Sequence, residues 1–125
     1  MNDQAIEQEI QAKGKTAPRI TPNDIEDNIA SEHYFTAAEG VYGSAHEGSQ
    51  QVIVHFEDAH DYDDHLSLLT FCVLVLRNGF TVTGESACAS PENFDAEIGR
   101  KVARANAIQK IWPLMGYELK NKLNA

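Results

Sequence analysis

The 125 residues fit one domain with a single core, and 23% charged beside 42% hydrophobic residues is ordinary globular composition. A net charge of −9 argues against duplex nucleic acid as a partner, because that binding rests on neutralising phosphates. No apolar run reaches the roughly 18 residues of a membrane span and no signal peptide is legible, so the expectation is a soluble cytoplasmic protein.

Residues 1–19 are polar, with Ile6 and Ile10 as their one helical pair, and they close on Lys13-Gly14-Lys15-Thr16-Ala17-Pro18. The expectation is a flexible N-terminal arm at 1–19, ahead of one domain at 20–125. Thr21 then offers an N-cap, Pro22 a first helical residue and Asp24 a first-turn acid. Ile20 and Ile25 are spaced for a hydrophobic staple. This helix carries Ile25 and Ile29 on one face and is expected to end near Glu32-His33-Tyr34-Phe35.

Thr36 to Ser49 is rich in glycine and alanine and reads as irregular. Gln51 to Glu57 alternates Val52, Val54 and Phe56 with Ile53, His55 and Glu57, the period of a strand. Asp58 to His65 reads as an acidic loop. It has neither the order of an EF-hand nor the HExxH spacing of zinc hydrolases. Leu66 to Leu76 is almost continuously apolar, as in a strand covered on both faces.

Asn78-Gly79 predicts a two-residue type I′ hairpin, with Phe80 to Cys88 returning. That loop length pairs Arg77 with Phe80, Val75 with Val82 and Val73 with Gly84, on the face the last helix is expected to cover. It also sends Cys72 and Cys88 to opposite faces, so both should be reduced. Ser90-Pro91-Glu92-Asn93 opens the last helix, with Ser90 or Asn93 as its cap. Phe94, Ile98, Val102, Ala105, Ile108 and Trp112 form a stripe suited to lie on the sheet. Gly99, Ala103 and Ala107 form a small-residue ridge left for another backbone, and Pro113 is expected to end or kink the helix. The fold class is therefore α+β: a small antiparallel sheet with a central hairpin, an N-terminal helix and a long C-terminal amphipathic helix.

Charge is distributed unevenly. Residues 1–97 hold four basic and eighteen acidic side chains, while residues 98–125 hold six basic and one acidic. Arg77 is the single Lys or Arg between Ile20 and Gly99, among fifteen acids. It is either a solvated turn residue drawn to a carboxylate such as Glu85, or a hook for an anion. Arg100 and Arg104 stand one helical turn apart and can grip phosphate bidentately, or can be a solvated face. Phe80 beside Arg77 suits a nucleobase near its phosphate; Asn93 and Asp95 could add base or ribose hydrogen bonds. No GxSxG, phosphate loop or nucleophile–base set is present, and catalysis is not expected.

The run from Leu69 through Ser86, with Cys88-Ala89-Ser90-Pro91-Glu92-Asn93-Phe94-Asp95, Gly99-Arg100-Lys101, Lys110-Ile111-Trp112-Pro113-Leu114 and Glu32-His33-Tyr34-Phe35, resembles a widespread family of small tailed-phage and prophage proteins. This is the gene-forty-nine-like family, over about residues 20–123. More loosely, the order of elements is similar to that of phage Thoeris anti-defence sponges, which hold cyclic ADP-ribose variants and some cyclic oligonucleotides in oligomers. That resemblance implies a non-catalytic sponge in the host cytoplasm, without a cofactor or metal. It also implies a homo-oligomer (a dimer or higher, such as a hexamer) and ligand contacts from Arg77, Phe80, Asn93, Asp95, Arg100 and Arg104. Two other readings stand beside it. One is an acidic nucleic-acid mimic that binds a host protein through Glu57-Asp58, Asp61 and Asp63-Asp64, and the other is a structural or assembly accessory of the virion.

Overall fold

The computed structural model describes residues 2–48, 53–56 and 62–125. Helix α1 spans Asp3–Ala12 and α2 spans Pro22–Asp27, followed by strand β1 at Ile29–Thr36 and helix α3 at Ala37–His46. A short α4 (Tyr62–Leu66) precedes strands β2 (Leu69–Leu76) and β3 (Thr81–Ala87). One 3-10 turn at Pro91–Asn93 leads into α5, Ala96–Leu123. The strands form an antiparallel sheet in the order β1-β2-β3, which is the α+β architecture expected.

Local chemistry sets the boundaries. Thr21 and Asp24 form a reciprocal capping box at the start of α2. The helix then stops at Asp27 instead of running to Phe35. Ile29 to Thr36 are extended and pair with β2, as suits a segment holding Ile29, Tyr34 and Phe35. Thr36 and Glu39 form a second capping box and start α3 where an irregular stretch was expected. Of the strand expected at 51–57, the described residues Ile53 to Phe56 are in neither helix nor strand; Gln51, Val52 and Glu57 lie outside the described residues.

Within the N-terminal 19 residues, Asp3–Ala12 form α1 and make polar contacts with the rest of the chain. Asn2 caps α1 by accepting the Ala5 N–H, and Arg19 grips Glu7 bidentately at 2.6 and 2.8 Å. The Asp3 carboxylate accepts bonds from Gln109 and Trp112 of α5. Polar contacts hold α1, which is why hydrophobic period did not reveal it.

At the hairpin the dipeptide is right and the register is not. Leu76 N–H donates to the Phe80 carbonyl, and Gly79 N–H to the Leu76 carbonyl. Only Gly79 has positive φ, +89°, and Asn78 does not, so the loop is three residues, Arg77-Asn78-Gly79. The Asn78 side chain accepts the Phe80 N–H at 2.9 Å and stabilises this form. Val75 therefore faces Thr81, and Cys72 faces Gly84. One extra loop residue exchanges the two faces of the pairing.

The covered face now reads Thr70, Cys72, Leu74 and Leu76 with Val82 and Gly84, all buried. Against it α5 sets the small-residue ridge, Gly99, Ala103 and Ala107, followed by Ile111. A Cβ on Gly84 would lie 2.9 Å from the Ala107 Cα and closer still to the Ala103 oxygen and Ala107 nitrogen. The ridge expected to meet another backbone thus meets β3 of its own chain. Ile98 and Val102, assigned to the sheet from their period, are 60% and 43% exposed. Ile25 of α2 completes the buried core. On the other face Phe35 and Phe71 stack at 5.5 Å, with Gly40 of α3 against the Phe35 ring. Helix α5 continues through Pro113 to Leu123, leaving the Gln109 carbonyl without its usual N–H partner.

Both cysteines are free. Cys88 N–H bonds to the Leu68 carbonyl, which continues the β3 ladder and gives Cys88 the parity of Cys72. The two share a face, contrary to the expectation from a two-residue loop. Four strand residues, about 13 Å, still separate their levels.

Candidate functional site

The six residues singled out from the sequence fall into two groups along α5. Arg77 and Phe80 lie at the hairpin end, against its C-terminal half. Asn93 and Asp95 precede its first turn, with Arg100 one turn inside. Arg104 and Met115, which lines the Arg77 recess, are about 16 Å apart along the helix axis. The structure does not bring Arg77 together with Arg100 and Arg104 in one chain, because the expected shared face rested on the two-residue loop.

Arg77 is the more informative member of its pair. Its N–H donates to the Asn28 carbonyl at 3.0 Å, and its side-chain Nε donates to the Asp27 carbonyl. The C-terminal end of α2 thus holds the turn and its guanidinium together, a favourable place for a cation. No carboxylate pairs with Arg77 among the described residues, Glu85 included. The side chain borders a recess of about 560 Å³. Ile20, Met115 and Leu119 line it with apolar atoms, Asn28, Asn78 and Lys122 supply polar atoms, and Asp24, Asp27 and Glu118 also border it. Lys122 is bonded to Glu118 at 3.1 Å in an exposed pair. Arg19 also borders the recess but is engaged by Glu7.

Phe80 lines a different groove on the far side of the turn, with Lys110, Leu114 and Tyr117. Arg100 lines a smaller pocket of about 150 Å³ with Tyr34, Glu39, Thr70 and Phe94. Asp95 is the N-cap of α5, accepting the Ile98 N–H at 3.0 Å; Asn93 is exposed in the preceding turn.

Arg104 has a structural task. Its guanidinium donates to Glu32 at 2.8 Å and to Glu26 at 2.7 and 3.1 Å, joining α5 to β1 and α2. The Tyr34 hydroxyl also donates a hydrogen bond to Glu32 at 2.6 Å. Arg104, and then Tyr34, hold the Glu32 carboxyl below the usual range, while burial and the Glu32 bond push the Tyr34 hydroxyl up. The Cys72 thiol, pushed up chiefly by burial, is poorly suited to act as a thiolate. Sequence reasoning missed this network because Arg104 stands 72 and 78 residues from Glu32 and Glu26 in the chain.

No group of three His, Cys, Asp or Glu side chains gathers for a metal ion among the described residues, and none of their helices is long and apolar enough to cross a membrane. Glu57, Asp58 and Asp61, part of the acidic cluster considered for a mimic, lie outside the described residues. No curated protein and no solved structure matches the chain. A family model does, over residues 20–123, which takes in the sheet, α5 and the hairpin end with Arg77. The chain belongs to the Phage protein (N4 Gp49/phage Sf6 gene 66) family.

Proposed function

We propose that this phage-family protein is a non-catalytic sponge that captures a nucleotide-derived immune signal, a cyclic ADP-ribose variant or a cyclic oligonucleotide, in the host cytoplasm. The ligand sits in the recess under the hairpin end and leaves unchanged. The observation that carries the reading is Arg77: held at the rim by its Nε, ion-paired with no carboxylate among the described residues, and sharing the recess with Asn28, Asn78 and the apolar Ile20, Met115 and Leu119. A recess of about 560 Å³ is of a size to hold a small ligand. The guanidinium meets a phosphate, the two amides meet base edges, and Ile20, Met115 and Leu119 take the flat surface of a base. Arg104 belongs to the fold, and Arg100 lines a separate pocket away from this recess.

The test is a thermal-shift panel of cyclic ADP-ribose isomers and cyclic oligonucleotides, followed by calorimetric titration of any that binds. One class should raise the melting temperature and be recovered chemically intact. Arg77→Ala should weaken its affinity roughly tenfold to a hundredfold, the worth of about 1.5–3 kcal/mol for a hydrogen bond to a charged group. Arg100→Ala should leave affinity unchanged. A panel with no binder, or Arg77→Ala binding as tightly as the parent, would refute the assignment.

A further inference from the structure

Across the turn from the Arg77 recess, a groove of about 600 Å³ runs between β3 and the C-terminal half of α5. Its walls include Phe80, Leu114 and Tyr117, which are 56%, 42% and 73% exposed. Its floor is an open strand edge, since β3 ends the sheet. The bonds from Leu76 N–H to Phe80 and from Cys88 N–H to Leu68 set the parity of the ladder. Even-numbered β3 residues bond to β2, so Thr81, Thr83, Glu85 and Ala87 direct their N–H and C=O groups outward. Asn106 occupies the Glu85 carbonyl at 2.8 Å. Thr81 and Thr83 stay open, and these two line the groove.

The position of α5 restricts what can pair there. Gly84 lets α5 lie directly over β3. A β3 from a second copy would bring its own α5 to about one strand spacing, ~4.8 Å, where packed helices need about 8–10 Å. The occupant is therefore a strand with no helix above it. One described stretch of this chain fits: Ile53 to Phe56, outside any helix or strand, with Ile53 80%, Val54 49% and Phe56 76% exposed. Its residues favour strands. In sequence it is followed by Glu57 and Asp58, and Lys110 in the groove bonds to Thr83 Oγ1 at 3.4 Å with no carboxylate partner among the described residues.

We propose that Ile53–Phe56 of one copy adds as a fourth strand to the β3 edge of a second copy. Main-chain groups of Thr81 and Thr83 supply the ladder, and alternate apolar side chains enter between Phe80 and Tyr117. Reciprocal exchange closes a dimer, and head-to-tail exchange closes a ring. This interface stands independently of any ligand at Arg77.

Light scattering on the full chain at micromolar concentration should give a multiple of 13.8 kDa. Thr83→Pro removes an outward N–H and spares the β2 ladder, a position where an edge strand tolerates proline. Phe56→Asp places a carboxylate on the exposed donor stretch. Each variant should fall to the monomer mass with an unchanged circular dichroism spectrum. Mixing the two should restore a dimer, because one copy keeps its groove and the other its donor strand. A monomeric parent, or parental mass retained by Phe56→Asp, overturns the proposal; so does a mixture that stays monomeric.

Discussion

Gly84→Ala puts the helix–sheet contact under direct test. The new methyl carbon would stand 2.9 Å from the Ala107 Cα and overlap the Ala103 carbonyl and Ala107 nitrogen more severely, where carbon atoms prefer about 3.5–4.0 Å. All three obstacles are backbone, so no rotamer change relieves them and α5 must withdraw by roughly 1 Å along its contact with β3. Overpacking of this kind costs about 1–3 kcal/mol, and the rigid surroundings place it at the upper end. Against that, alanine gains up to about 1 kcal/mol by stiffening the unfolded chain. The expected net loss is about 2 kcal/mol, and an unfolding entropy near 2.1 cal/mol/K per residue converts it to a fall in Tm of about 8 °C. Calorimetry with a urea titration measures both. Gly99→Ala is the control: its Cβ would lie 3.0 Å from Thr70 Oγ1, a side chain that can yield, while helix propensity improves by about 1 kcal/mol. Gly84→Ala as stable as the parent within about 0.5 kcal/mol would show that α5 does not rest on β3.

Two further outcomes are expected. Arg104→Ala leaves Glu26 and Glu32 facing each other; because solvent screens both carboxylates, the loss should be about 1–2 kcal/mol, seen as a lower urea midpoint at constant slope. An unchanged midpoint would remove Arg104 from the fold's support. Arg19, followed by Gln11, holds the Glu7 carboxyl at about 2, below its ordinary value of 4.5, so its contribution is fully present above pH 4.5 and is lost as pH falls through about 2. Trp112, the one tryptophan, bonds to Asp3 of α1, and its emission should report α1 loosening in that window, with Glu7→Gln abolishing the step; emission that follows the same acid profile in the variant would refute it.

Much of the fold was legible. The hairpin position, the Thr21 cap and the long last helix all follow from local chemistry that neighbours do not override. The register was not, because Asn-Gly serves a two-residue loop and a three-residue loop equally well, and the Asn78 side-chain bond that selects the latter is invisible in a string of letters. The buried face of α5 was misread for a related reason. Periodicity favours Ile98 and Val102 because they are bulky, whereas a helix resting on Gly84 selects Gly99, Ala103 and Ala107 because they are small. The candidate site inherited both errors. Arg77 stood out through its charge context, but its partners come from the end of α2 and the last turns of α5, which no spacing rule connects to residue 77.

The distribution of the core along the chain has a consequence for synthesis. Among the described residues, the buried apolar side chains Cys72, Leu74, Leu76, Val82, Ala103, Ala107 and Ile111 all follow Leu69, and only Pro22 and Ile25 of α2 precede it. A ribosome delivers the N-terminus first, so β1 emerges with its hydrogen-bonding partner β2 still unmade, and β2 emerges before the helix that covers it. Little apolar surface can be buried until Ile111 has cleared the exit tunnel. The whole first half of this protein waits on the second.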